Sequence, residues 1–125
     1  VKYLFTYGTL MSGQCRNSVL TYCGAQLLGE VTLTGIKLYD YMNSFPVALL
    51  DKDGSITGEV YAIYDGTWEY LRPVLDQIES RGIMYDLCAI PLEEEREMYA
   101  YIGVKEYWED APLTAIEGDS PKWGE

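Results

Sequence analysis

Hydrophobic and polar positions alternate from the first residue. Val1, Tyr3, Phe5 and Tyr7 fall on one side of an extended chain, and Lys2, Leu4 and Thr6 on the other. That period of two, in residues that favour pleated backbone, predicts a strand over residues 1–7 ending at Gly8. Residues 11–24 are polar and weakly patterned, and read as a loop holding a short helical piece. Residues 25–41 predict a long strand. Val31 and Leu33 share one face, Ile36 and Leu38 the other, so the period slips at Gly35. A bulge or sharp bend there would restore one buried face. Residues 46–50 predict a short strand, Asp51-Lys52-Asp53-Gly54 a turn, and residues 55–64 the next strand. From Asp65 the period changes: Leu71, Val74, Leu75 and Ile78 recur at helical spacing. Pro73 costs about 3 kcal/mol in a helix interior. The expectation is therefore a loose turn over residues 67–71, then a helix with Pro73 in its first turn. Two further strands, 85–92 and 97–104, are joined by an acidic turn at Glu93-Glu94-Glu95, before a mixed tail. Six or so strands with one clear helix make an α+β pattern, and the bend at Gly35 points to a strongly curled sheet or small barrel.

Length bounds this to one domain, residues 1–125, large enough for a core without disulfide or metal staples. No apolar run approaches the roughly 20 residues of a membrane span. The first residues read as a strand entering a turn rather than as a secretory leader. Three cysteines, an odd number, do not make a secreted disulfide framework, and reduced thiols in the cytoplasm are the expectation. Twenty acids against nine bases give a net charge of -11, which disfavours nucleic acid and anionic membranes as partners. There is no histidine. That removes every Ser–His, Cys–His and His-ligated metal mechanism, and no cysteine spacing fits a metal site. Neither a metal nor another cofactor is expected. Acid–base chemistry near neutral pH must use a carboxylate, Tyr, Lys or Cys of shifted pKa.

Two places could carry such chemistry. Tyr7-Gly8-Thr9-Leu10 is a strand end running into a glycine turn, which can expose successive backbone N–H groups to a carboxylate or oxyanion. An ordinary structural turn is the plain alternative. Glu79 lies at the end of the helix, on the border of the face marked by Leu71, Leu75 and Ile78. Partial desolvation there would raise its pKa, and Asp76 three residues earlier would push the same way. A solvated helix-end Glu is the alternative. Tyrosine is abundant, 12 in all; Tyr85, Tyr99 and Tyr101 follow Glu79 on the next strands and could present oriented hydroxyls. No base can be named beside Cys15 or Cys88, which read as packing or surface residues.

These pieces, in this order, resemble the signatures of the gamma-glutamylcyclotransferase-like superfamily. Tyr7-Gly8-Thr9-Leu10 is similar to its Y-G-[ST]-L turn, Gly58-Glu59-Val60-Tyr61 to its G-E-[VL]-Y strand, and Leu75-Asp76-Gln77-Ile78-Glu79 to its L-D-x-x-E helix end, with Tyr85 following. The chain resembles the short gamma-glutamylamine cyclotransferase-like proteins more than the longer glutathione-specific enzymes. The resemblance implies a small, mainly antiparallel β-barrel with flanking helices and a cavity at one end. It implies a small-molecule substrate, a gamma-glutamyl amine or amino acid, cyclised to 5-oxoproline with release of the amine. Carried over by motif, Glu79 shuttles the proton, the backbone of Tyr7, Gly8, Thr9 and Leu10 holds the substrate carboxylate, and Tyr85 orients the substrate. A non-catalytic binding protein for an acidic metabolite, on the same fold, is the rival. Three positions depart from the pattern. Ser80 stands where Gly often follows the Glu, Tyr85-Asp86-Leu87 where Tyr-x-Arg is common, and Met11-Ser12 where a basic residue is usual.

Overall fold

A computed structural model describes residues 1–91 and 97–124. The turn expected at Glu93-Glu94-Glu95 lies outside them. The described elements are, in chain order, β1 (Lys2–Thr6), α1 (Asn17–Tyr22), β2 (Gln26–Tyr41), β3 (Phe45–Ile63), α2 (Asp65–Ile78), β4 (Tyr85–Pro91), β5 (Glu97–Gly103), α3 (Lys105–Trp108) and β6 (Leu113–Ala115). The strands form one sheet in the order β4-β5-β1-β3-β2-β6. Neighbours run antiparallel except β1 and β5, which are parallel. The sheet curls into a half-barrel with helices beside it, the α+β architecture expected from the sequence. No helix among the described residues is long and apolar enough to cross a membrane.

The slip of period at Gly35 is a bulge. Gly35 takes φ 84°, and the register shifts between Thr34 and Ile36. Ile36 and Leu38 are buried, and Leu33 packs against the same cluster, so the extra residue does return the apolar side chains to one face. The partner strand differs from expectation. Instead of two strands and a reversing turn, β3 is one 19-residue strand. Ile36 pairs with Leu50 and Thr34 with Ser55, so residues 51–54 bow out opposite Gly35. The turn-forming residues are used there, with Asp51 Oδ1 accepting the Asp53 N–H at 2.9 Å, but the chain continues in its original direction.

Helix α2 also departs from expectation, because it is continuous from Asp65 and carries Pro73 in its interior. Pro73 is exposed, and so is Glu69, whose carbonyl loses its intrahelical donor; water can satisfy it. Burial of Trp68, Leu71 and Leu75 on the opposite face outweighs the local loss, Trp68 lying in the very turn expected to be loose.

Each face of the sheet carries a cluster of buried side chains. Leu4, Tyr61, Ile63, Leu71, Leu75 and Trp108 belong to the cluster on the helix side, and Phe5, Ile36, Leu38, Ile56, Val60 and Met98 to the other. Between β1 and β3 the backbones come close at Gly58, where a Cβ would stand 2.3 Å from the Thr6 carbonyl oxygen and 2.6 Å from the Phe5 ring. Gly58→Ala is therefore expected to lower unfolding free energy by about 1–3 kcal/mol through forced strand separation. Gly66→Ala, where the added carbon meets open space in the first turn of α2, should be neutral or stabilise by up to about 1 kcal/mol. Denaturant unfolding of the two variants beside the parent checks both.

Candidate functional site

The turn after β1 is held from below by a buried carboxylate. Glu59 is 5% exposed. Its Oε1 accepts the Ser12 N–H and its Oε2 the Ser12 hydroxyl, each at 2.6 Å. Thr6 Oγ1 donates to the Glu59 carbonyl at 3.2 Å. The far side of the loop is closed by the Arg16 N–H on the Thr9 carbonyl at 2.8 Å, and by Asn17 Nδ2, which donates to the Leu10 carbonyl and to the Tyr61 hydroxyl oxygen, both at 2.8 Å. These contacts occupy carbonyls. Among the described residues no acceptor engages the N–H groups of Gly8, Thr9 or Leu10. The side chains of Tyr7 and Leu10 are buried. Gly8 has a packing reason as well: a Cβ there would lie 2.6 Å from the Pro46 ring.

Above the turn is a cavity of about 250 Å³, lined by residues 5–10, Cys15, Arg16, Phe45, Pro46, Ile78, Glu79, Met84, Tyr85 and Tyr101. It is smaller than the roughly 300–1,000 Å³ of drug-sized pockets and suits a small metabolite. All of the expected site residues, Tyr7, Gly8, Thr9, Leu10, Glu79 and Tyr85, line this one space. Tyr101 joins them. Tyr99 does not: it stacks on Trp68 at 5.4 Å and donates to Glu97.

Glu79 is the C-cap of α2, with its N–H on the Leu75 carbonyl. Its carboxylate is half-buried and has no hydrogen-bond or ion-pair partner among the described residues. Burial holds its pKa above the ordinary value of 4.5, opposed by the positive charge of Arg16. Asp76 plays no part in this shift, contrary to the expectation from spacing. It accepts from Arg72 at 2.6 Å, Arg81 at 3.1 Å and the Tyr101 hydroxyl at 2.7 Å, and so braces α2 against β5. Tyr85 donates its hydroxyl to the Pro46 carbonyl at 3.1 Å. Burial first, and then the Glu79 charge, push its pKa well up, so it stays a neutral phenol. Tyr7 is pushed the same way, chiefly by burial. Burial likewise raises the Cys88 thiol, which makes it a poor nucleophile.

The three departures have local explanations. Met11 is buried, and Ser12 serves Glu59. Leu87, where Arg is common, is half-buried and packs against the helix-side core cluster. Ser80 takes φ 50°, the left-handed region that favours glycine. Its N–H bonds the Gln77 carbonyl and the Arg81 N–H the Asp76 carbonyl, the two-bond helix ending usually built on glycine. Two residues escaped the sequence reading. Glu59 was visible only as a motif letter, although an acid between Gly and Val in an apolar strand is a signal of a buried carboxylate. Arg16 sits in a polar loop with no periodic signal, and only the chain's return to Thr9 brings it to the cavity.

A family model described as gamma-glutamyl cyclotransferase, AIG2-like, matches residues 4–123. No curated protein matches the chain. Among solved structures, the uncharacterized protein PH0828 of Pyrococcus horikoshii superposes with a TM-score of 0.68 at 23% identity, covering 96% of this chain and 89% of that one. Protein ytfP of Escherichia coli gives 0.65 at 27% identity, covering 98% and 96%. An AIG2-like protein of Mus musculus gives 0.66 at 22% identity, covering 93% and 88%. These likenesses show a shared fold over nearly the whole chain.

The helix ending supplies a test. Ser80→Gly should stabilise the protein by about 1 kcal/mol, because a side chain in the left-handed region is relieved. Glu79 should not move, so its carboxyl titration, followed by NMR, should remain raised above 4.5 in both proteins.

Proposed function

We infer that this chain, which belongs to the gamma-glutamyl cyclotransferase, AIG2-like family, cyclises the gamma-glutamyl group of a gamma-glutamyl amine or amino acid to 5-oxoproline. The observation that carries the reading is Glu79: a half-buried carboxylate of raised pKa that lines a small cavity and, like the backbone N–H groups of Gly8, Thr9 and Leu10 beside it, has no hydrogen-bond partner among the described residues.

The chemistry needs little else. The nucleophile is the substrate's own α-amino group. Bound with its α-carboxylate on the N–H groups of Gly8, Thr9 and Leu10, the substrate is bent so that this amine approaches the side-chain carbonyl carbon. Glu79 takes one proton from the α-ammonium. The freed amine attacks, the new C–N bond closes a five-membered ring, and the carbonyl electrons move to oxygen. As that oxygen reforms its double bond, the old C–N bond breaks. The departing nitrogen collects that proton from Glu79; the second proton, shed by the ring nitrogen as it becomes an amide, passes through the same carboxylate to the freed amine, which leaves as an ammonium, and Glu79 returns to its starting state. Ring closure within one bound molecule gains from orientation alone, and a carboxylate of raised pKa is a better match to an amine near neutral pH than an ordinary one. Tyr85, neutral and tied to Pro46, forms a fixed wall that keeps the substrate folded over Glu79.

Glu79→Gln keeps size but cannot take the proton. It should lower 5-oxoproline release by at least about a hundredfold, equivalent to roughly 2.7 kcal/mol of barrier. Stability should not suffer. With its folded pKa raised, Glu79 contributes stability that is present below about pH 4.5 and lost as pH rises through the raised value, so the neutral replacement should match or exceed the parent at pH 7. Asp76→Asn, by contrast, should keep the chemistry and lose stability, because two arginines and a tyrosine lose a charged partner. Near-normal turnover in Glu79→Gln would refute the assignment. Tight binding of gamma-glutamyl compounds by the parent, without any 5-oxoproline, would favour the rival binding protein.

In the parent, activity should fall on the acid side as Glu79 becomes protonated, with a midpoint above 4.5. Arg16→Gln should move that midpoint upward, since the Arg16 charge holds the Glu79 pKa down. A pH–rate profile of both proteins checks the sign.

A further inference from the structure

Arg16 is a cation with no side-chain partner among the described residues, in a chain of net charge -11. Arg72 and Arg81 are both tied to Asp76, and Lys122 to Glu30. The Arg16 side chain has no ion pair or hydrogen bond among the described residues. Yet its backbone is fixed, with its N–H on Thr9 and its neighbour Asn17 bonded to both Leu10 and Tyr61. The residue is exposed while lining the cavity, which places it at the rim. Its charge reaches Glu79 and Tyr85, which line the same cavity.

That position matters for one half of the substrate. On the cyclotransferase reading, Glu79 must reach both the attacking amine and the departing nitrogen, so the departing half lies beside Glu79 and runs toward the rim. The other walls there are apolar and half-buried: Phe45, Ile78 and Met84. A short apolar wall ending in one unpaired guanidinium is suited to a small carbon frame that carries a carboxylate. We propose that Arg16 is a specificity-determining residue that binds a carboxylate on the departing amine, so that the preferred substrates are gamma-glutamyl amino acids and not gamma-glutamyl alkylamines or polyamines. This rests on the cyclotransferase reading of the same site. A polyamine would bring a second cation against Arg16; a plain alkylamine would leave the guanidinium unpaired.

The experiment compares gamma-glutamyl-alanine with its C-terminal carboxamide, which differs by the one charge. The parent should favour the free carboxylate about tenfold in kcat/KM, the size of a charge-assisted contact at a solvated rim. Arg16→Gln should abolish the preference and Arg16→Lys should keep most of it. Because Arg16 also acts on Glu79, absolute rates will change with both substrates; the ratio isolates the carboxylate contact. Equal kcat/KM in the parent, or a preference that survives Arg16→Gln, overturns the proposal. An equal proportional loss on both substrates, with the ratio unchanged, would assign Arg16 to the carboxylate of the glutamyl half and overturn it too. If neither compound releases 5-oxoproline, calorimetry decides. Tighter binding of the carboxylate form that depends on Arg16 would sink the cyclotransferase reading and leave the carboxylate site standing, whereas equal binding would overturn both.

Discussion

The buried Glu59 carboxylate is the contact on which the cavity floor depends. An ion so enclosed is costly unless its oxygens are engaged. Here both are, by the N–H and the hydroxyl of a single residue, Ser12. The demand runs both ways. Glu59 is tolerable near the end of β3 only if the loop after β1 folds back onto it. That loop, once folded back, lines the cavity with its first residues. Gly58 extends the same constraint, since any side chain there would push β3 away from Thr6 and part the two strands just below the loop.

Charge inside the cavity is balanced on a small scale. Glu79 is the acidic and Arg16 the basic side chain of the lining, and neither has an ion-pair partner among the described residues. The surrounding tyrosines remain neutral, because burial and the Glu79 charge both oppose their ionisation. A zwitterionic ligand would find one charge of each sign held apart by neutral phenols and backbone. Asp76, one helical turn before Glu79, is held by two arginines and does not contribute to the Glu79 shift.

How far the sequence spoke for itself depended on the range of the interaction. The alternation in β1, the bulge at Gly35 and the amphipathic stripe of α2 are local, and the structure shows each of them. Residues 51–54 carried an equally clear turn signal, but a turn signal reports backbone bending, not the direction of exit, and the pairing of β2 with both halves of β3 decided that. Pro73 was misread for the same reason, since propensity gave way to the burial of Trp68 on the other side of the helix. In the cavity, Glu79 was legible because its place on a helix face follows from counting residues. Asp76 was equally countable, but its partners Arg81 and Tyr101 lie beyond the helix, so its role was hidden. Arg16 was invisible because nothing in a short polar loop says which cavity it will border.

The parallel pairing of β1 with β5 joins Tyr3 to Met98 and Leu4 to Tyr99. Strand β1 is therefore an interior strand of the sheet, with β3 on one side and the distant β5 on the other. Contacts of such long sequence separation form late in folding. The turn that directly follows β1, and with it the floor of the cavity, settles only once β5 has docked, so a lesion that keeps β5 away would leave β1 with an open edge and the cavity without a fixed floor.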